Sequence, residues 1–195
     1  MKIRWHQIIT LFFISALPGA VLAHTGHETG SGFLAGLAHP LFGPDHLAAM
    51  LLVGLWASRS VAVRMNLPLI GFSVFMVIGA LLAASGINLA AIESMIALSL
   101  LVPGLLLITG VRINSIGSLV IAFFALFHGQ AHMLEMATLA SPLVYACGFM
   151  LTTITLLLTG LGAGICLQRL RYEWLLRSAG LATGGFGALL LLGAN

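Results

Sequence analysis

Two stretches hold most of the groups able to ligate a metal ion. His39-Pro40-Leu41-Phe42-Gly43-Pro44-Asp45-His46 sets two imidazoles and a carboxylate into a run otherwise apolar from Phe33 to Trp56. A charge at the centre of a membrane-spanning helix costs roughly 2.5–3.5 kcal/mol on the insertion scale, so such groups face a protein interior and work there. Pro40 and Pro44 each remove an amide from the helical ladder, so the helix must bend or open, and Gly43 makes the bend cheap. Opened backbone at membrane depth is tolerated only where it lines an enclosed or wet cavity. The stretch therefore reads as a cation pocket.

The second stretch is Phe127-His128-Gly129-Gln130-Ala131-His132-Met133-Leu134-Glu135. Spacings of four and seven put His128, His132 and Glu135 on one helix face. Two imidazoles at i, i+4 can offer two nitrogens to one ion, a spacing that is common by itself. Hydrogen bonds to neighbouring helices, or haem ligation, are the alternatives. Glu93 is a further embedded carboxylate, explicable as a metal ligand or by the dipole of a helix start. If Asp45, Glu93 and Glu135 share one pocket, a divalent cation relieves their repulsion. Nitrogen and oxygen donors without thiolates favour Ni²⁺, Co²⁺ or Zn²⁺ over Cu(I). The eight methionines are scattered and read as packing residues.

The elements that must position these groups follow from composition. The 195 residues are 60% hydrophobic and 7% charged, which fits an all-α polytopic membrane protein. The net charge of +3 is spread over isolated arginines, so no patch suits nucleic acid. Met1 to Ala23 has the pattern of a secretory signal peptide: Lys2 and Arg4, the apolar run Ile8 to Leu17, then Val21-Leu22-Ala23. An uncleaved first helix is the alternative. Residues 24–31 then form a periplasmic arm, in which the new α-amine, His24 and His27 either chelate metal or form an incidental tail. The only lysine is Lys2, which excludes a Walker ATPase and a retinal Schiff base in the mature chain. No H-E-x-x-H protease motif is present.

Six apolar segments make up the transmembrane domain over 32–195, at about 32–57, 67–85, 89–109, 114–134, 142–167 and 174–193. Asn88 and Asn114 are expected N-caps, and Pro142 a first-turn proline. Arg59, Arg64, Arg112, Arg169, Arg171 and Arg177 all fall on one side of this arrangement, which places both mature termini outside. The embedded acids and histidines then lie in the outer half, as capture from outside requires. Segments one and four occupy corresponding places in two three-segment halves, the layout of an inverted repeat. Cys147 and Cys166, about 30 Å apart on one helix, cannot pair and are expected to be small buried residues. Gly32/Gly36, Gly160/Gly164 and Gly180/Gly184 permit close helix approach, within the bundle or in a homo-oligomer.

His39-Pro40-x-x-Gly43-x-Asp45-His46, Glu93 and the Phe127-to-Glu135 run together resemble the HupE/UreJ family of nickel and cobalt permeases. The resemblance covers essentially the whole mature chain. It departs at Met133, where the family often has glycine. It implies a secondary transporter, not an enzyme, in the bacterial inner membrane. Such a permease takes up Ni²⁺ or Co²⁺ as substrate with no permanent cofactor, often for hydrogenase or urease maturation. Functional positions carried over are His39, Asp45, His46, Glu93, His132 and Glu135. On this reading His24, His27 and the His128/His132/Glu135 stripe gather the ion, and His39, Asp45 and His46 hold it. The rival from another class is an intramembrane zinc hydrolase in which Asp45 or Glu93 activates water.

Overall fold

The computed structural model describes residues 32–59, 66–112, 114–136 and 141–193. The signal segment and the arm bearing His24 and His27 lie outside the described residues. The first apolar segment is broken in two, α1 (Phe33–Phe42) and α2 (Pro44–Ala57), bent by 80°. Pro44 opens α2, where its missing N–H costs nothing, and it drives the residue before it into extended conformation. Gly43 accordingly sits at φ −81° and ψ 104°. Two expectations change in detail. Pro40 lies within α1 without ending it. The Gly43 backbone is one that any residue adopts, so what glycine supplies is room: a Cβ there would lie 3.3 Å from Asp45 Oδ1.

Five further helices follow: α3 (Asn66–Ala84), α4 (Ile92–Thr109), α5 (Ser115–Leu134), α6 (Pro142–Arg169) and α7 (Glu173–Gly193). Each is long and apolar enough to cross a membrane, and the bent pair brings the number of candidate spans to six. The described residues are all-α, and the expected boundaries hold to within a helical turn. Asn114 caps α5, its side chain accepting the Gly117 N–H at 2.7 Å, and Pro142 sits in the first turn of α6.

Asn88 does not cap α4. That helix starts three residues later behind Ala91, in left-handed conformation at φ 60°. The cause is a clasp from α5: Gln130 Oε1 accepts the Leu89 N–H at 2.7 Å and its Nε2 donates to the Ile87 carbonyl at 2.6 Å. Asn88 is thereby held in a loop. The cysteines are a second correction. Both are free as expected, but both are exposed on the outside of α6, where an apolar environment would be supplied by lipid.

The helices pack in three principal pairs: α1 and α2 against α6, α3 against α5, and α4 against α7. Glycines set each contact. A Cβ at Gly36 would strike the Tyr145 carbonyl, at Gly79 the Leu126 carbonyl, and at Gly104 the backbone of Gly180 and Gly184. Such close approach gives dispersion contact that lipid cannot replace. The main core joins Trp56, Phe72, Met76, Phe149 and Leu157 from three helices, α2, α3 and α6. At one end Trp56 Nε1 donates to the Val111 carbonyl at 3.1 Å, Gln168 Nε2 to Ser58 Oγ at 2.6 Å, and Arg59 pairs with Glu173 at 2.8 Å. The Gln130 clasp lies at the opposite end.

Candidate metal centre

The bend at Gly43 turns the start of α2 inward and sets its first residues against the C-terminal half of α5. Asp45 lies in the first turn of α2, where the helix dipole favours a carboxylate. Its Oδ1 accepts from the His46 backbone N–H at 2.8 Å and from the His46 ring at Nδ1, 2.9 Å away. A carboxylate oxygen only accepts, so Nδ1 carries the proton and His46 Nε2 keeps its lone pair. That nitrogen is buried and, among the described residues, has no partner.

His39, on α1, makes the corresponding contact on the other side. Its Nε2 lies 3.0 Å from Glu135 Oε2, which again leaves the opposite ring nitrogen, Nδ1, as the lone pair. Glu135 follows the last residue of α5 and is half-exposed. The hydrogen bond from His39 holds its carboxyl below the usual glutamate value.

His132, on α5, comes between them. It is fully buried, neither ring nitrogen has a partner among the described residues, and Phe149 stacks on its face at 4.9 Å and 13°. Its ring centroid is 4.4 Å from that of His46 and 4.8 Å from that of His39. One candidate ligand atom from each of His39, His46 and His132 lies within 4.8 Å of the others. A buried imidazole without partners costs about 1–3 kcal/mol. Three imidazoles with ligand atoms this close, two of them with buried unpartnered nitrogens, therefore suit a cation of borderline softness. Crowded rings at these separations leave no slot for a porphyrin between two imidazoles.

The remaining sequence candidates fall elsewhere. His128 lies beside this trio, 4.9 Å from His46 between ring centroids, with Nε2 on Ser99 Oγ at 2.7 Å. The three carboxylates do not converge. Glu135 meets His39, while Asp45 shares with Glu93 a separate cavity of about 360 Å³ that Ile96, Leu189, Leu190 and Gly193 complete. Glu93 is exposed in the first turn of α4, and no described contact ties it to the imidazoles. Three residues at the site have little sequence signal. Phe149 and Ser99 look like ordinary members of apolar segments. Tyr145, whose buried hydroxyl has no partner and whose ring lies 6.2 Å from that of His39, is one of only two tyrosines. That scarcity is the one clue that could have singled it out.

The family model described as HupE / UreJ protein matches residues 11–190. A curated relative, Protein HupE of Rhizobium leguminosarum bv. viciae, is 35% identical, with 97% of this chain and all of the relative aligned. No solved structure matches. A match over nearly the whole chain, from both a family model and a full-length relative, places this multi-pass membrane protein in the HupE/UreJ family.

Proposed function

We propose that the protein is a permease that takes up Ni²⁺ or Co²⁺ across the bacterial inner membrane, with both mature termini periplasmic. The observation that carries this is the convergence of His39, His46 and His132 inside an otherwise apolar bundle, with His46 Nε2 and both ring nitrogens of His132 buried and, among the described residues, unpartnered. In this reading the three imidazoles replace part of the ion's hydration shell. Asp45 and Glu135 act through His46 and His39, fixing ring tautomer and orientation as carboxylates do behind metal-binding histidines. Asp45 and Glu93 face a cavity that would receive the hydrated ion electrostatically before it meets nitrogen ligands. His24 and His27 would extend capture outward. Family membership favours transport over the hydrolase alternative. Supply of hydrogenase or urease maturation is the physiological use the family implies.

Because release must remain possible, the site should bind only moderately. Uptake of Ni²⁺ and Co²⁺ into proteoliposomes tests the reading. His46→Ala removes a ligand and Asp45→Ala its orienting partner, and each should lower uptake by about tenfold or more. Uptake equal to wild type in both variants would overturn it. Hydrolysis of lipid amides or esters by protein that moves no metal would favour the enzyme instead.

A further inference from the structure

His128, expected in the ion-gathering stripe, is not part of the His39–His46–His132 centre, and with Ser99 it forms a hydrogen-bond chain with one outcome. Ser99 Oγ donates to the Ile96 carbonyl at 2.6 Å, which uses its only proton. Its lone pair therefore accepts from His128 Nε2 at 2.7 Å, so Nε2 carries the imidazole proton. His128 Nδ1 is left with a lone pair, fully buried and without a partner among the described residues. Phe72 closes the ring on another side, 5.7 Å between centroids. Among the described residues the imidazole paired with it is that of His46, itself with an unpartnered Nε2, whose centroid is 4.9 Å away with the rings at 85°.

His46 thus has imidazoles on two sides: His132 toward the Glu135 end of α5, and His128 four residues back along the same helix. Four residues of α-helix rise about 6 Å. We infer that Ser99 is a positioning residue which presents His128 Nδ1 beside His46, giving the divalent ion a second resting position one helical turn deeper than the His39–His46–His132 cluster. His46 is the ligand common to both positions, so an ion passing between them keeps one nitrogen throughout. Conduction favours several shallow positions over one deep one, since each step then exchanges only part of the ligand set. The inference rests on the transport reading and adds to it a second position and the hydroxyl that prepares it.

The test is a double-mutant cycle read by equilibrium Co²⁺ binding to the purified, full-length protein, followed through the visible spectrum of the bound ion. His39→Ala disables the outer position and leaves the deeper one to hold the ion. Ser99→Ala should then lower Co²⁺ affinity about tenfold more in the His39→Ala background than in the wild-type background, the size of effect expected when a ligand's orienting partner is removed. Ser99→Thr, which keeps the hydroxyl, should restore the affinity of the His39→Ala protein. A purely structural role for Ser99 would give the same loss in both backgrounds, and that result would overturn the second position while leaving the outer one intact. Failure of Ser99→Thr to restore binding, with the protein folded, would also overturn it. Absence of Co²⁺ binding by the wild-type protein would overturn the transport reading and the second position together.

Discussion

Each imidazole of the centre has one nitrogen occupied or both free, and the partner decides which. Asp45 occupies His46 Nδ1, Glu135 occupies His39 Nε2 and Ser99 occupies His128 Nε2, whereas His132 is held by ring stacking on Phe149 alone. The Glu135 contact can be followed by pH. Its carboxyl titrates below the ordinary glutamate value of 4.5 because His39 hydrogen-bonds it. A depressed folded value means that the contact stabilises the protein above pH 4.5 and that this contribution fades as pH falls through the lower value. Thermal unfolding of metal-free wild-type and Glu135→Gln protein across pH should show a gap in Tm that is constant above the ordinary value and closes on acidification. A gap independent of pH would contradict the pairing. The embedded acids and histidines were legible in the sequence because charge in an apolar run is conspicuous. Their division of labour was not, because composition places Asp45, Glu93 and Glu135 in one membrane half and says nothing of which imidazole each meets. Ser99 was illegible for a different reason. Serine hydroxyls in apolar helices commonly bond back to their own helix, as Ser73 does to Leu69, and nothing in the sequence marks the one that also accepts from a histidine.

Helices bring these side chains together through two devices: a break and close glycine contacts. The break was readable from Pro44 following Gly43, since proline constrains the residue before it and opens the helix after it. Glycine pairs were readable as small-xxx-small spacing, but the surfaces they meet were not, since spacing names no partner. Gly129 shows what the contact does. A Cβ there would collide with the Met76 carbonyl of α3, and Gly129 stands next to His128 and three residues before His132. Gly129→Ala should therefore push α5 from α3, destabilise the fold by about 1–3 kcal/mol and weaken Co²⁺ binding as both histidines shift. Gly162 provides the control, because a Cβ there meets nothing. In mid-helix, alanine at 162 should be neutral or stabilising by up to about 1 kcal/mol. Thermal unfolding in one detergent compares the two, and equal effects would show that close approach at Gly129 is unimportant.

Across the whole molecule, the three principal helix pairs survive an exchange of halves, although the packing of α2 on α4 has no counterpart between α5 and α7. Replacing α1–α2 by α5, α3 by α6 and α4 by α7 turns the α1/α2–α6 contact into α5–α3 and leaves α4–α7 as itself. An inverted repeat requires this pairing, as does any two-fold arrangement of the halves, and inverted repeats move by rocking one unit against another around a fixed site. The two ends of the bundle differ in a way that suits one stage of such a cycle. The Asp45–Glu93 cavity reaches toward the centre from one side. At the arginine-bearing end, buried Trp56, the Ser58–Gln168 bond and the Arg59–Glu173 pair tie α2, α6 and α7 together. On the proposed inward transport, release at that end would part them. Glu173 is about half exposed, so the ion pair adds about 1 kcal/mol or less to overall stability. Its effect on opening is local, because it bridges helices that must separate. Ser58 is buried beside it, so a Ser58→Cys reporter in a Cys147→Ala, Cys166→Ala background reads the opening directly. Adding Glu173→Gln should speed thiol labelling at position 58 severalfold with little change in Tm, since a rare opening becomes less rare without the folded state being lost. Labelling at an unchanged rate would mean that the pair does not restrain this end and that Trp56 and Gln168 close it alone.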